Sequence, residues 1–560
     1  MNRNETAVTH ERPFYWLLAL AALILFFNVG GYGVIETSDA RYAEIAREML
    51  RNGDWLHPDF LNIHHYHKPP FTYQITALGY AMFGVNPFGA RFFLQIALLL
   101  SMVLTYRLAL TLYKDRTVAL WSAAIFFSFP LTLSASRNLT TDLFLTLWVI
   151  AAVYAWVRYR QNGRWRWLYA FTLALAMGFL TKGPVVLIVP GIFALLYNRI
   201  EPAKNRWSLH HLAAWLLFVV VGGSWYFYLM AQNPDFWNYF VEKQTIKRFD
   251  SDIFRRKEPW WYFLLFVPLT GLPWLLAMPW MAWRQKALLK SDKIITVLLI
   301  TAAVTILFFS LSTSKRILYI LPLYPLLAIV TAVLLKHSAP RLLRPVTSIV
   351  VAWAVIVTAS FALLPWLPVK VHLNKSATLV AIAMAALLWI VWKKWRQDPK
   401  SRLVALTFLT SGFLVVMASW LLAANPLKFK IATPLAHFIR THHLQNRILL
   451  VYDRLLPSLA FELDRSLITL NDGARSLRRE TRFEPDSSYR RYFYDLRKPE
   501  DRRRLLRLMQ KEPTLLIVHK RLPKRAEDLK TVYTQRKKIG PWMLYYSKDG
   551  SSEKIESADR

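Results

Sequence analysis

The chain has no cysteine among its 560 residues. That absence excludes disulfides, thiolate metal sites and a cysteine nucleophile, and it leaves the redox compartment open. Acids are scarce as well: 35 Asp and Glu stand against 71 Lys and Arg, a formal net charge of +36. No internal repeat is visible. No cleavable signal peptide is expected, because Met1 to Arg12 is polar and the apolar run after it is long enough to stay in a bilayer. What the chain has in excess is apolar sequence, 55% hydrophobic and 15% aromatic, with a mean hydropathy of +0.25. Soluble domains are about 45–50% apolar and do not string such runs together. A polytopic membrane protein is the class these numbers define. Its positive charge then reads as cytoplasmic loops and attraction to anionic headgroups rather than as a nucleic-acid surface.

Runs near the ~20 residues needed to span a bilayer occur about thirteen times. They start near Phe14, Phe92, Thr117, Leu143, Trp167, Pro184, Leu212, Trp260, Ile294, Ile317, Val346, Leu379 and Leu403. Alternate connections are short and basic: Lys114 to Arg116, Arg158 to Arg166, Arg199 to Arg206, Arg284 to Lys293, Lys336 to Arg344, and Lys393 to Arg402. The positive-inside rule puts these in the cytoplasm with the N-terminus. Residues 34–86, 134–142, 181–183, 232–259, 312–316 and 367–375 then face outward. So does everything after about Asn425. Asp39, Asp142, Lys182, Arg248 and Lys315 are thereby expected on one extracytoplasmic face.

Two domains follow: an α-helical transmembrane domain over residues 1–424, and an extracytoplasmic domain over residues 425–560. The second is charged, with short apolar runs at Ile448–Tyr452, Leu467–Leu470, Leu515–Val518 and Met543–Tyr546, which reads as a small α/β fold. Within the long outer loop 34–86, Ala40 to Leu50 has helical spacing, with Tyr42, Ile45, Ala46 and Met49 on one side and charges elsewhere. That pattern suits a helix lying in the interface, and Phe71 to Phe83 looks like a second.

Chemistry concentrates on the outer face. The stretch Ile35-Glu36-Thr37-Ser38-Asp39-Ala40-Arg41-Tyr42-Ala43-Glu44 gathers three carboxylates where a membrane helix should end. Acids are costly near hydrocarbon, so the cluster implies open water or a function. Asp142 sits at the mouth of the fourth run. An N-cap is its plain reading; a general base or metal partner beside Asp39 is the sharper one. His64-His65-Tyr66-His67-Lys68-Pro69-Pro70 offers imidazoles for a divalent metal ion, with His67 the weak candidate ligand, or simply a polar loop before a helix. Lys68 reads as a phosphate contact. Lys182, in Thr181-Lys182-Gly183-Pro184, and Lys315-Arg316 sit in tight junctions. They either snorkel to headgroups or hold a pyrophosphate or lipid phosphate. The segment Asn233 to Phe240 followed by Lys247-Arg248-Phe249 mixes aromatics with cations, as a lid or an aromatic belt would.

Taken in order, these stretches resemble the bacterial lipid-to-lipid glycosyltransferases of the GT-C superfamily. The lipid A aminoarabinose transferase type is the nearest likeness, and the protein O-mannosyltransferases are more distant. The likeness rests on Asp39 to Met49, Lys68-Pro69, Asp142, Thr181-Lys182-Gly183, Phe236-Trp237 with Arg248-Phe249, Leu272-Pro273-Trp274 and Tyr319 to Pro322. It covers most of the chain up to about Pro325. It implies a polyprenyl-phosphate sugar donor and inverting transfer on the outer face of a bacterial inner membrane. Asp39 would be the main catalytic carboxylate and Asp142 the second. Lys68, Lys182, Arg248 and Tyr319 would hold the donor phosphate, with Arg41, Tyr42, Glu44, Lys315 and Arg316 also at the substrate. Ser38 stands where the family often has an acid, His67 where it has Glu, and Thr245 where it has His.

The sequence therefore leads to a membrane glycosyltransferase with a lipid A-like glycolipid acceptor, no organic cofactor and at most a divalent metal ion. A protein O-mannosyltransferase is the alternative enzyme. A lipid transporter is the alternative class, and it should carry charge at the bilayer midplane; here charge sits at helix ends.

Overall fold

The structure, a computed structural model, describes residues 3–246, 258–474, 477, 479 and 481–547. The chain divides into two compact units. One comprises Met1–Val29, His67–Ile75 and Arg91–Ala424; the other comprises Gly30–Tyr66, Thr76–Ala90 and Asn425–Arg560. One division between the units falls at Ala424 and Asn425. Most of the first long loop groups with the C-terminal segment rather than with the helices that precede and follow it.

The first unit is helical, and each of the thirteen apolar runs lies on a helix or a pair of helices. Among the described residues, eight helices are long and apolar enough to cross a membrane, or ten if each of two bent pairs is one crossing. About thirteen crossings were expected. The runs near Phe14, Trp167 and Pro184 lie outside the eight to ten. Trp165–Lys182 carries Arg166 and Lys182 at its ends, and Pro184–Tyr197 is short.

Both bends have chemical causes. Arg116–Ser128 and Pro130–Arg137 meet at 58° where Pro130 removes an amide donor. Tyr262–Thr270 and Trp274–Arg284 meet at 104° across Gly271-Leu272-Pro273. Burial sorts the rest. The Ile317–His337 span is 83% buried and forms the centre of the unit, whereas Ser376–Lys394, at 17%, presents its apolar side chains to lipid.

Two neighbouring helices set up the site. Thr141–Asn162 ends at Gly163, whose φ of 68° suits a residue without Cβ and lets the chain reverse into Trp165–Lys182. Trp165–Lys182 then packs on Leu209–Gln232, where Gly222 permits close approach: a Cβ there would lie 3.3 Å from Ala176 Cα.

The second unit is built on a six-stranded sheet. Its strands are β1 (Ile448–Tyr452), β2 (Ile468–Asn471), β3 (Phe493–Asp495), β4 (Thr514–His519), β5 (Gln535–Ile539) and β6 (Trp542–Tyr546). The order is β3-β2-β1-β4-β6-β5, parallel from β3 to β4 and antiparallel for the β5–β6 hairpin. The α/β expectation holds, and the four apolar runs are β1, β2, β4 and β6.

The helix expected over Ala40 to Leu50 is present as Ser38–Asn52, and much of its charged face is buried within the protein. Asp39, Glu44, Arg47 and Glu48 are buried along with Ala43, Ile45 and Met49. It packs on Pro457–Leu463, and the Tyr80 hydroxyl donates to its Ala43 carbonyl at 3.1 Å. The second expected helix spans Phe71–Phe83 as read.

Candidate functional site

In the helical unit, three side chains singled out from the sequence meet. Asp142 lies in the first turn of Thr141–Asn162 but does not cap it. Thr140 takes that role, its hydroxyl accepting from the Asp142 amide. Asp142 is therefore free to form an ion pair with Lys182, the last residue of Trp165–Lys182. Both ends suit the helix dipoles: an anion at an N-terminus and a cation at a C-terminus. The two side chains are only 10% and 7% exposed. The Lys182 ammonium also lies 5.0 Å from the centroid of the Tyr319 ring, within cation–π range. Tyr319 stands on the 3₁₀ turn Ile317–Leu323 and packs on Phe309 at 5.7 Å. Gly183 follows with φ 88°, and the groups nearest its open side are the Phe240 ring and the Tyr226 hydroxyl.

Other expected cations are placed differently. The Lys315 ammonium donates to the Ser312 carbonyl at 2.6 Å and the Glu258 carbonyl at 2.9 Å, which ties the junction together. Burial lowers its pKa, partly offset by Glu258. Arg316 and Lys68 are half-buried. Arg248 lies outside the described residues, as do Lys247 and Phe249. Before them, Asp235–Asn238 continues into a π-helical stretch, Tyr239–Ile246. Phe236 and Phe240 are packed on Trp225 and Tyr226, while Trp237 is exposed.

In the second unit, Asp39 is 1% exposed, and its Oδ2 accepts from the Ile35 amide at 2.8 Å. Glu36 accepts from the Ser458 amide at 2.8 Å, and burial pushes its pKa up to about 7. Tyr42 is half-buried. Arg41 lies 5.7 Å over the Phe60 ring and lines a cavity of about 940 Å³.

Glu44, expected at the substrate, is engaged with a neighbouring arginine. It is fully buried, and its two oxygens accept from Arg47 Nε and Nη2 at 2.8 and 2.7 Å. Arg47 reaches on to Asp464 at 2.8 Å. The residues that complete this network, Arg47, Glu48, Asp464 and Arg479, escaped the sequence reading. Glu44, Arg47 and Glu48 are neighbours on one helix, but Arg47 also reaches Asp464, 417 positions away, and no local signal marks that contact.

The histidine cluster does not gather metal ligands. His64 is bound to Asp59 at 2.6 Å; burial opposes its charge, but the Asp59 hydrogen bond and charge prevail and raise its pKa. His65 packs edge-on to Phe60, and the His67 ring lies 6.4 Å from that of Tyr239. Among the described residues, no three His, Asp or Glu side chains are grouped as a metal would require.

Comparison with known proteins joins these features to a class. The fold matches the crystal structure of ArnT from Cupriavidus metallidurans bound to undecaprenyl phosphate, with a TM-score of 0.76 over 95% of this chain and 97% of that one at 20% identity. The same protein in its apo state also matches at 0.76, with 21% identity over 96% and 98% of the two chains. Residues 67–227 match the family model described as dolichyl-phosphate-mannose-protein mannosyltransferase. The class is a membrane-embedded glycosyltransferase with the GT-C architecture.

A curated relative from Pseudomonas paraeruginosa, an undecaprenyl phosphate-α-4-amino-4-deoxy-L-arabinose arabinosyl transferase, is 30% identical over 429 residues, 75% of this chain and 72% of the relative. One of the same name from Pectobacterium carotovorum is 28% identical over 81% and 84% of the two chains. The chain belongs to this arabinosyl transferase family.

Proposed function

We propose that the protein transfers a sugar from an undecaprenyl-phosphate donor to a glycolipid acceptor such as lipid A, on the outer face of the bacterial inner membrane. The relatives' names make 4-amino-4-deoxy-L-arabinose the first donor sugar to test. The observation that carries this reading is the buried Asp142–Lys182 ion pair beside Tyr319 in a chain of this family.

The reaction breaks the bond between the sugar's anomeric carbon and the donor phosphate oxygen. A new bond forms from an acceptor oxygen to that carbon, with inversion. The leaving undecaprenyl phosphate keeps the electron pair. Its developing charge is met by Lys182, whose ammonium is already desolvated, with the Tyr319 hydroxyl and Lys68 as further donors. Asp142 holds Lys182 in place through their ion pair. Preorganised cations act this way because they need no solvent rearrangement when charge develops. Positioning supplies the rest. On the acceptor side, Asp39 would take the proton of a hydroxyl, or orient a phosphate acceptor that needs little base help. That assignment rests on the sequence resemblance. Cytoplasmic placement of the N-terminus and outward placement of residues 425–560 follow from loop charge.

The experiment is a donor panel of undecaprenyl-phosphate sugars incubated with purified protein, with and without lipid A. Acceptor-dependent release of undecaprenyl phosphate supports the reading. Donor left intact under every condition would remove it and favour the transporter alternative.

A further inference from the structure

The cavity beside Arg41 lies wholly within the second unit, and the transfer reaction as proposed makes no use of it. Its position follows from the strand order. The chain runs from β1 outward through β2 and β3, then returns to β4 on the other side of β1. The loops leaving the C-terminal ends of β1 and β4 therefore diverge and open a crevice between them. In open α/β sheets, ligands bind outside the carboxyl ends of the strands at such a reversal.

The cavity is formed there. Asp453 to Leu455 come from the loop after β1, and His519 to Arg525 from the end of β4 and the loop after it. Its volume of about 940 Å³ is far larger than a bare ion needs and falls in the range of small-molecule sites, about 300–1,000 Å³.

The lining has a definite chemistry. Arg41, Arg454, Lys520, Arg521 and Arg525 bring cations to it from three separate segments of chain. Arg525 is engaged with Asp472 at 2.8 Å. Arg454, Lys520 and Arg521 form no ion pair with a described carboxylate. The backbone turns sharply at both strand ends, with φ of 49° at Asp453 and 69° at Lys520, which directs the loops around the opening. Glu36 and Asp453 add two acceptors, and Tyr452 and Phe60 add aromatic surface. The positive field is felt inside: burial lowers the pKa of His519, and Arg454 and Lys520 lower it further. A purely anionic ligand would not need the acceptors, and a neutral sugar would not need the cations.

We infer that this crevice is a second binding site, for a phosphomonoester carried on a sugar-sized body, with Arg454, Lys520 and Arg521 on the phosphate and Glu36 and Asp453 on hydroxyls. Its lining includes none of the residues of the Lys182 cluster, and it does not depend on the donor assigned to that cluster.

The test is calorimetric titration of the full-length protein in detergent with glucose 1-phosphate, glucose, inorganic phosphate and lipid A micelles. Glucose 1-phosphate binding that weakens with salt and exceeds that of inorganic phosphate, with glucose silent, is the expected result. Arg454→Gln combined with Arg521→Gln should weaken it at least tenfold, while Lys182→Gln leaves it unchanged. If that double variant unfolds, Lys520→Gln alone should weaken binding severalfold. Binding of lipid A but not glucose 1-phosphate would assign the site to a lipid headgroup and still support it. Binding of neither probe overturns the inference. So does binding that survives the loop substitutions, or that disappears with Lys182→Gln.

Discussion

Removing the Lys182 ammonium separates two roles that the side chain combines, holding Asp142 and presenting charge to a phosphate. The pair is 7% and 10% exposed. Taking one partner from a buried pair costs about 3–5 kcal/mol, because the other charge is left without compensation. Asp142 is partly compensated by its place in the first turn of a helix, worth about 0.3–1 kcal/mol. Lys182→Met should therefore lower stability by about 2–4 kcal/mol. Asp142→Asn should do the same by stranding the ammonium. The double variant replaces the pair with two neutral groups of similar size and should recover to within about 1 kcal/mol of the parent. Transfer should behave differently. If Lys182 meets the leaving phosphate, its loss should reduce kcat/KM by about 10²–10³-fold, the effect of deleting one preorganised donor. Restoring stability with Asp142→Asn cannot bring that back. The assay pairs thermal unfolding in detergent with undecaprenyl phosphate release for all four proteins. A double variant that regains both stability and turnover would refute the reasoning, because the cluster would then be only a structural bolt.

Asp39→Asn keeps an oxygen for the Ile35 amide, so stability should hold while transfer to a hydroxyl acceptor disappears; full turnover in the variant removes Asp39 from a catalytic role. Arg47→Met should destabilise by about 3–5 kcal/mol, because Glu44 and Glu48 would be left buried and uncompensated. Unchanged thermal unfolding would contradict the network. Glu36 has a folded-state pKa near 7, raised by burial above its ordinary 4.5. The folded protein thus holds the proton more tightly, and this contribution is full below pH 4.5 and lost as pH rises through 7. The full shift corresponds to about 3 kcal/mol, which partial exposure trims to about 1–2. Glu36→Gln should grow more stable relative to the parent across that window, and a flat difference would count against it. Chelation with EDTA should leave turnover within about twofold, given that the described residues hold no such group of ligands. A large loss reversed by added metal would mean that ligands lie outside the described residues.

Much of the helical unit could be read directly because its signal is local. An apolar run commits its own backbone to a helix, since lipid offers no other partner for amides. Prolines and glycines mark the bends where they occur, as at Pro130 and Gly271-Leu272-Pro273. In the C-terminal unit the readable strands were the apolar ones. β1, β2, β4 and β6 are short apolar runs. β5 is Gln-Arg-Lys-Lys-Ile, mostly exposed at the sheet edge, and charge there guards against edge pairing rather than announcing a strand. β3 has three residues at the opposite edge. Neither carries the alternation that identifies a half-buried strand.

Charged residues divided along another line. Ser38–Asn52 has the spacing of an interfacial helix, but amphipathic spacing says only that one face differs from the other. It cannot say whether the charged face meets water or other charges. Asp464, 417 residues from Arg47, decides that, and no window of sequence contains both. Asp142 is the complementary case. Thr140, Thr141 and Asp142 can each cap a helix, and local propensity slightly favours the acid. Thr140 caps, and the carboxylate turns to an ammonium 40 residues away. The cap and the ion pair are alternatives for one side chain, so the identity of the capping residue determines whether a desolvated cation is held at the end of Trp165–Lys182. Replacing Thr140 with Val would remove the competing cap. Asp142 would then be drawn toward the helix amides and away from Lys182, which should lower transfer with little change in the fold.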